Sequence, residues 1–214
     1  MNIEWIPSQF YDDKKRANKM IIIHHTGSTN GRINSLQGTV NWFKPDPPRT
    51  DKKVSAQYII GRKKGELIQM VKDEHRAYHA GKSQWTINGR LRKWLNNWSI
   101  GIELQGDGNL FDYSEFQYKA LIWLCKEKMR QFDIPIELIQ GHEHISPGRK
   151  VDPGLLFDWK LFRSELQGKP VVQVAVDVEK SISEQENVVL PEGANHSFWS
   201  VIMDFLYSIF KFVF

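Results

Sequence analysis

Short apolar runs of strand length alternate with amphipathic helix patterns between about residue 20 and about residue 165. Residues 20–23, "MIII", are apolar and mostly β-branched, which is typical of a buried strand. Residues 33–44 place apolar side chains at helical spacing, and residues 114–132 do so again. This alternation predicts an α/β fold in which a central mixed β-sheet is flanked by helices.

Further segments fit the same pattern. "VSAQYIIGRKKGELIQMV" predicts two strands joined by a turn, and "WSIGIELQG" predicts another strand. Ser114 and Gln117 stand at the start of the second helix pattern, where they fit a capping box. "DPGLLFDWKLFRSEL" predicts a turn that continues into a helix, while residues 75–95 are typical of a loop.

Polar side chains follow three of the predicted strands. His24 ends the first apolar run, Glu103 lies in "GIELQG", and His142 follows "IELIQG". Open α/β sheets bind ligands beyond the ends of their strands. We therefore expect these three side chains to converge at one edge of the sheet.

The loop "GHEHISPGRKVDPG", residues 141–154, is dense in titratable groups. Its prolines and glycines disfavour both helix and strand. Irregular loops held by a rigid scaffold often carry the chemistry of an enzyme. The composition of this loop therefore predicts a functional site.

Two imidazoles and one carboxylate are a known ligand set for catalytic zinc, which leaves a fourth position for water. His142 and Asp152 could supply two of these ligands, and His24 is the best candidate for the third. The alternative is that either histidine, taken alone, only caps or hydrogen-bonds its loop.

Five motifs occur together in a defined order, namely "IIIHHTG", "VSAQYII", "YHAG", "SIGIELQG" and "GHEHISPGRKVDPG". Their order and spacing resemble those of the zinc-dependent N-acetylmuramoyl-L-alanine amidases, the superfamily that includes the peptidoglycan-recognition proteins. The resemblance covers roughly residues 18–163. It implies the amidase fold and a Zn²⁺ ion held by His24, His142 and Asp152.

The resemblance also implies roles for three further residues. Glu103 matches the catalytic acid of the family, Lys150 matches the lysine near the metal, and His79 of "YHAG" is expected on the substrate side of the cleft. Without the resemblance, Glu103 would be an ordinary strand residue facing solvent and Lys150 an ordinary surface charge. Within "HH" the family pattern leaves His25 to pack or hydrogen-bond, and Gln57 stands where many relatives have histidine.

These residue types suit amide hydrolysis. A bound Zn²⁺ polarises the carbonyl and lowers the pKa of water from ~15.7 to about 7. Glu103 would take the proton of the water and return it to the departing nitrogen. Lys150 would stabilise the oxyanion of the tetrahedral intermediate.

Charge and cysteine content exclude some other classes. The formal net charge is +4, but the basic residues are dispersed, so the sequence predicts a solvated surface and no nucleic-acid partner. The single cysteine, Cys125, excludes an internal disulfide.

The last part of the chain has a different character. Residues 198–214 are apolar except for one narrow polar stripe, which predicts an apolar C-terminal helix that lies on a membrane or docks on a protein partner. The alternative is a helix packed on the preceding domain. The expected organisation is a catalytic domain at residues 1–165, a linker or small extension at 166–197, and this helix.

The preferred function is a peptidoglycan amidase that cuts between N-acetylmuramic acid and L-alanine of the stem peptide. We expect a cell-wall lytic enzyme, either a phage or prophage lysin or a delivered antibacterial effector with an immunity protein. The N-terminus lacks the apolar core of a secretory signal, so periplasmic action would follow lysis or non-classical delivery. The alternatives are a cytoplasmic amidase that recycles anhydro-muropeptides and a non-catalytic peptidoglycan-binding protein.

Overall fold

A six-stranded sheet organises the fold. The computed structural model describes residues 1–15, 17–48 and 50–168 of the chain. Within these ranges the strands are β1 (Glu4–Trp5), β2 (Tyr11–Asp12), β3 (Met20–His25), β4 (Ser28–Thr29), β5 (Arg32–Ile33), β6 (Tyr58–Ile60), β7 (Leu67–Gln69), β8 (Arg76–Ala77), β9 (Gln84–Ile87), β10 (Arg90–Lys93), β11 (Ser99–Leu104) and β12 (Ile139–Gly141). The α-helices are α1 (Leu36–Phe43), α2 (Glu115–Phe132), α3 (His142–Ile145) and α4 (Trp159–Leu166).

The strand order in the main sheet is β1-β7-β6-β11-β3-β12. The β6–β7 pair is antiparallel, and the other neighbours are parallel. The sheet is therefore mixed, and helices flank it, as the sequence predicts. β3 lies between β11 and β12, and its residues 20–23 are fully buried in the main hydrophobic core.

Strand register brings the ends of three strands to one level. The parallel pairing of β11 with β3 sets Glu103 opposite His24. The pairing of β12 with β3 sets Gly141 opposite Ile23, so that His142 follows at the height of His24. The sheet alone thus places these three residues at its carboxyl edge.

Helix α2 begins as the sequence predicts. The Ser114 hydroxyl accepts a hydrogen bond from the Gln117 amide at 3.2 Å, and the Gln117 side chain accepts from the Ser114 amide at 3.0 Å. These bonds satisfy amides that the first turn of a helix leaves unpaired. The apolar face of α2, which includes Leu121 and Leu124, packs into the main core.

Two local predictions need correction. The predicted helix over residues 33–44 is shorter, because Ile33 pairs with Ser28 and the helix starts only after the cap at Ser35. Part of the predicted loop over residues 75–95 is an antiparallel hairpin of β9 and β10. Its turn is Asn88-Gly89, both at positive φ, which is the turn that two-residue hairpins prefer.

Two predictions concern residues that the structure does not describe. Most of the extension at residues 166–197 and the whole of the predicted apolar helix at 198–214 lie outside the described residues. They remain predictions. None of the helices that the structure describes has the length and apolar character needed to cross a bilayer.

Candidate active site

Three buried side chains meet at the carboxyl edge of the sheet. The Nδ1 atoms of His24 and His142 lie 2.9 Å apart, and the Oδ2 atom of Asp152 lies 2.9 Å from the first and 3.0 Å from the second. Together they form a site that could hold a metal ion. It is built from a strand end, the first turn of a short helix and a loop.

The loop that carries Asp152 is fixed from two sides. The Glu143 amide donates to the Asp152 carbonyl oxygen at 2.9 Å. The Tyr113 hydroxyl donates to the carbonyl oxygen of Pro153 at 2.6 Å, and Tyr113 itself is buried. These bonds keep the carboxylate facing the two imidazoles.

The charges of this cluster suit a cation. Burial, reinforced by the neighbouring His142, lowers the pKa of His24 to about 4. Burial by itself would raise the pKa of Asp152, but its close contacts with the rings of His142 and His24 bring that pKa well below its usual value. At neutral pH a carboxylate therefore faces an uncharged imidazole, and converging lone pairs of this kind match the donor set of Zn²⁺.

The remote ring nitrogens of both histidines have partners. His142 Nε2 lies 3.1 Å from the carbonyl oxygen of Ala80 and 3.2 Å from a guanidinium nitrogen of Arg149. His24 Nε2 lies 3.0 Å from Nδ1 of His79. When the Nε2 atoms carry the hydrogens, both Nδ1 atoms present lone pairs to the site, as metal ligation requires.

Glu103 lies beside this cluster with an unusual environment. Its side chain is only 8% exposed, and Oε2 has no hydrogen-bond partner among the residues that the structure describes. Burial, with a smaller contribution from the charge of Asp152, raises the pKa of Glu103 well above its usual value, while Lys150 acts in the opposite direction. A buried carboxyl group of raised pKa is suited to take up and release a proton.

An open cavity of about 710 Å³ connects these groups. Its lining contains all six side chains that the sequence singles out, namely His24, His79, Glu103, His142, Lys150 and Asp152. Helix α1 supplies another part of the wall, including Thr39 and the half-exposed Trp42. The cavity is large enough for a small organic substrate beside the histidines.

His25 and Gln57 have other surroundings. Nδ1 of His25 accepts from the Gly108 amide at 3.1 Å and lies 3.6 Å from Asp107. The Gln57 side chain is buried within the sheet, where its Oε1 accepts from the Gly101 amide at 2.8 Å. The metal cluster contains neither residue.

Sequence reasoning missed two residues that support the site. Arg149 donates from one nitrogen to the carbonyl oxygens of Ala80 and Lys82, at 3.0 and 2.8 Å, and so joins two loops. The side-chain oxygen of Asn96 accepts from the amides of His79 and Ala80, at 3.1 and 2.7 Å. Arg149 also contacts the side chains of Ser146 and His142, but the other partners are backbone groups of distant residues, which no motif spacing indicates.

The fold and the site together are typical of hydrolases that use a bound metal ion. The model of the family described as N-acetylmuramoyl-L-alanine amidase matches residues 14–155. The chain belongs to this family, whose enzymes hydrolyse an amide bond in peptidoglycan or its fragments.

Similar proteins support the assignment. The 1,6-anhydro-N-acetylmuramyl-L-alanine amidase AmpD of Salmonella typhimurium is 33% identical over 172 residues, which cover 74% of this chain and 87% of the relative. A crystal structure of an AmpD derivative superposes with a TM-score of 0.64 at 28% identity, covering 76% of this chain and 93% of the other. AmiD of Escherichia coli, in complex with the substrate anhydro-N-acetylmuramic acid-L-Ala-D-γ-Glu-L-Lys, superposes with a TM-score of 0.56 at 27% identity, covering 78% and 62%.

Proposed function

We propose that this chain is a zinc-dependent amidase that hydrolyses the bond between anhydro-N-acetylmuramic acid and L-alanine in soluble muropeptides. The observation that carries the proposal is the cluster of His24, His142 and Asp152 beside Glu103, whose Oε2 has no hydrogen-bond partner among the described residues. The substrate is proposed from the relatives, since one is named for the 1,6-anhydro sugar and another is bound to an anhydro-muropeptide.

Zinc is the metal that these donors fit best. Two imidazole nitrogens and one carboxylate oxygen form a borderline-soft ligand set, which suits Zn²⁺ better than Mg²⁺ or Ca²⁺. A Zn²⁺ ion held by His24, His142 and Asp152 would supply Lewis acidity and make a water molecule acidic near neutral pH.

Glu103 is proposed as the general base and then the general acid. The oxygen of the attacking water forms a bond to the lactyl carbonyl carbon while Glu103 takes one of its protons. The C–N bond then breaks, and Glu103 returns that proton to the nitrogen of L-alanine. The raised pKa of Glu103 favours both halves of this cycle, because the carboxyl group holds a proton long enough to deliver it.

Lys150 is proposed to stabilise the negative charge that develops on the carbonyl oxygen. Its side chain lines the cavity that also holds Glu103 and Asp152. Its positive charge lowers the pKa of Glu103, against the larger effect of burial. A fixed positive charge in a partly desolvated cleft stabilises an oxyanion more than it does in water.

The proposed substrate is a soluble fragment and not the cell-wall polymer that the sequence led us to expect. One relative is named for the anhydro sugar and another is bound to an anhydro-muropeptide. Both relatives support the recycling alternative. Such an enzyme would meet its substrate in the cytoplasm, and we propose that location. A membrane or protein partner remains a prediction that rests on residues 198–214, and an immunity protein remains a prediction that belongs to the effector alternative.

The experiment is a direct comparison of two substrates. Purified anhydro-muropeptide and intact sacculi are incubated with the full chain, with and without a zinc chelator, and the products are identified by mass. We expect the soluble substrate to be split into anhydro-N-acetylmuramic acid and free peptide at a much higher rate, and the chelator to stop the reaction. Faster release of peptide from sacculi would favour the lytic enzyme, and binding without cleavage would favour a recognition protein.

A further inference from the structure

We infer that His79 is a positioning residue for the metal site, which fixes the hydrogen of His24 on Nε2 so that Nδ1 is free to ligate. This inference rests on the proposed function, because it assigns His24 as a metal ligand. It replaces the substrate contact that the sequence suggests for His79. A chain of hydrogen bonds runs from the core of the domain to the site.

The chain of bonds starts at Ser99, which is fully buried on β11. Its hydroxyl lies 2.6 Å from the carbonyl oxygen of Leu95. A carbonyl oxygen can only accept, so the hydroxyl hydrogen of Ser99 is used in this bond. Towards any other neighbour, Ser99 Oγ is therefore an acceptor.

That neighbour is His79, whose Nε2 lies 3.3 Å from Ser99 Oγ. Since Ser99 accepts, Nε2 of His79 must carry the hydrogen. In a neutral imidazole only one nitrogen is protonated, so Nδ1 of His79 is an acceptor.

Nδ1 of His79 lies 3.0 Å from Nε2 of His24, with the two rings nearly perpendicular at 79°. An acceptor at this position requires His24 to donate from Nε2. The lone pair of His24 is then on Nδ1, which faces His142 and Asp152. Because the carbonyl oxygen of Leu95 can only accept, it determines which atom donates in each bond of the series.

The position of His79 is itself closely determined. Its ring packs against Gly101 of β11, where an added methyl group would come within 2.5 Å of the ring. Its amide and that of Ala80 both donate to Asn96. Since Ala80 offers its carbonyl oxygen to Nε2 of His142, the two-residue segment 79–80 orients both histidines of the cluster.

The test compares zinc affinity in variants of the full chain, measured by competition with a chromophoric chelator. His79→Phe keeps the ring but removes the acceptor, and it should weaken zinc binding by about 10- to 100-fold. His79→Asn places a side-chain oxygen near the position of Nδ1, so it should restore affinity to within about threefold of the parent. His75→Phe is the matched control, since His75 lies in the same region with its ring against Tyr11, and its affinity should equal that of the parent.

Thermal unfolding of the metal-free variants separates a positioning role from a general loss of structure. Ser99→Ala provides a second route if His79→Phe does not fold, because it removes the acceptor for His79, together with the bond to the Leu95 carbonyl oxygen, and should weaken zinc binding severalfold. Unchanged affinity in Ser99→Ala would contradict the series of bonds. Parental zinc affinity in His79→Phe together with a raised KM would show a substrate contact. Equal losses of zinc affinity in His79→Phe and His79→Asn would show a packing effect. Either result overturns the inference.

Different results would contradict the proposed function. A parent chain that binds no zinc, or that binds zinc but leaves anhydro-muropeptide intact, contradicts the function itself. Zinc binding and cleavage by the parent, with affinity that does not depend on residue 79, contradicts only the positioning role.

Discussion

The side chain of Glu103 is buried, and its Oε2 has no hydrogen-bond partner among the described residues, which costs stability at neutral pH. Its pKa is raised in the folded state, so the folded state binds the proton more tightly than the unfolded chain does. Proton binding by Glu103 stabilises the folded protein fully at pH values below the pKa of Glu103 in the unfolded chain. This stabilisation is lost as the pH rises through the pKa of Glu103 in the folded state.

Glu103→Gln should therefore stabilise the metal-free protein. We expect a gain of about 1–2 kcal/mol at neutral pH, which corresponds to a rise in Tm of about 2–8 °C. Near pH ~3 the gain should vanish, because Glu103 is then protonated in both states. Thermal unfolding in the presence of chelator, at both pH values, measures the difference, and a neutral-pH loss of stability in the variant would contradict the assigned environment.

The same variant should lose turnover while it keeps zinc. Removing a general base typically lowers the rate by about 10²- to 10⁴-fold. The activity of the parent should fall as the pH decreases through the raised pKa of Glu103, because the base must be ionised to take the proton. Parental turnover in Glu103→Gln, measured by product mass, would remove Glu103 from the mechanism.

Lys150 can be tested separately from the metal. Lys150→Ala should lower kcat by about 10²- to 10³-fold with little change in zinc affinity, because only the developing oxyanion loses its partner. Lys64→Ala, in the turn between β6 and β7, is a control that should behave as the parent. Steady-state kinetics on anhydro-muropeptide provide the measurement, and a change confined to KM would contradict a role in the transition state.

At the scale of single elements, helix α2 depends on its cap. Ser114→Ala should destabilise the protein by about 1 kcal/mol, or about 2–4 °C in Tm. Gln117→Ala should cost more, because its side chain also donates to the carbonyl oxygen of Gln105 at 2.9 Å and is fully buried. Lys126→Ala on the exposed face of α2 is the control, and equal Tm values for all three variants would show that the cap contributes nothing.

Elements were predictable from sequence where a local pattern determines them. β3 is a short apolar run, and the start of α2 is a capping box, so both appear in the structure as predicted. The hairpin of β9 and β10 was missed although Asn88-Gly89 is a strong turn signal, because its strands are polar and lie largely at the surface. The start of α1 was misplaced because Ile33 fits both helix spacing and the small β4–β5 pair.

At the scale of the whole molecule, the convergence of the site follows from topology. The sequence could place His24, Glu103 and His142 after strands, but only the order β11-β3-β12 makes those strands adjacent. The hydrogen bonds of His79, Asn96 and Arg149 join segments that no motif links, so their support of the site required the structure.

Residues 1–168 form a compact unit that contains every residue assigned to the site. A chain ending at Gly168 should therefore fold and cleave anhydro-muropeptide with kcat/KM within about threefold of the full chain. The His24→Ala variant of the shortened chain controls for contaminating amidases. A loss of more than about tenfold, or a chain that does not fold, would show that residues 169–214 contribute to the catalytic unit.

Titration of the metal-free full chain with Zn²⁺ tests the central claim most directly. Hydrolysis of anhydro-muropeptide should be absent without metal, rise in proportion to added Zn²⁺, and stop rising at about one equivalent per chain. The His142→Ala and Asp152→Ala variants should show no such rise. Undiminished hydrolysis by the metal-free parent, or an equal response in these variants, would contradict the account.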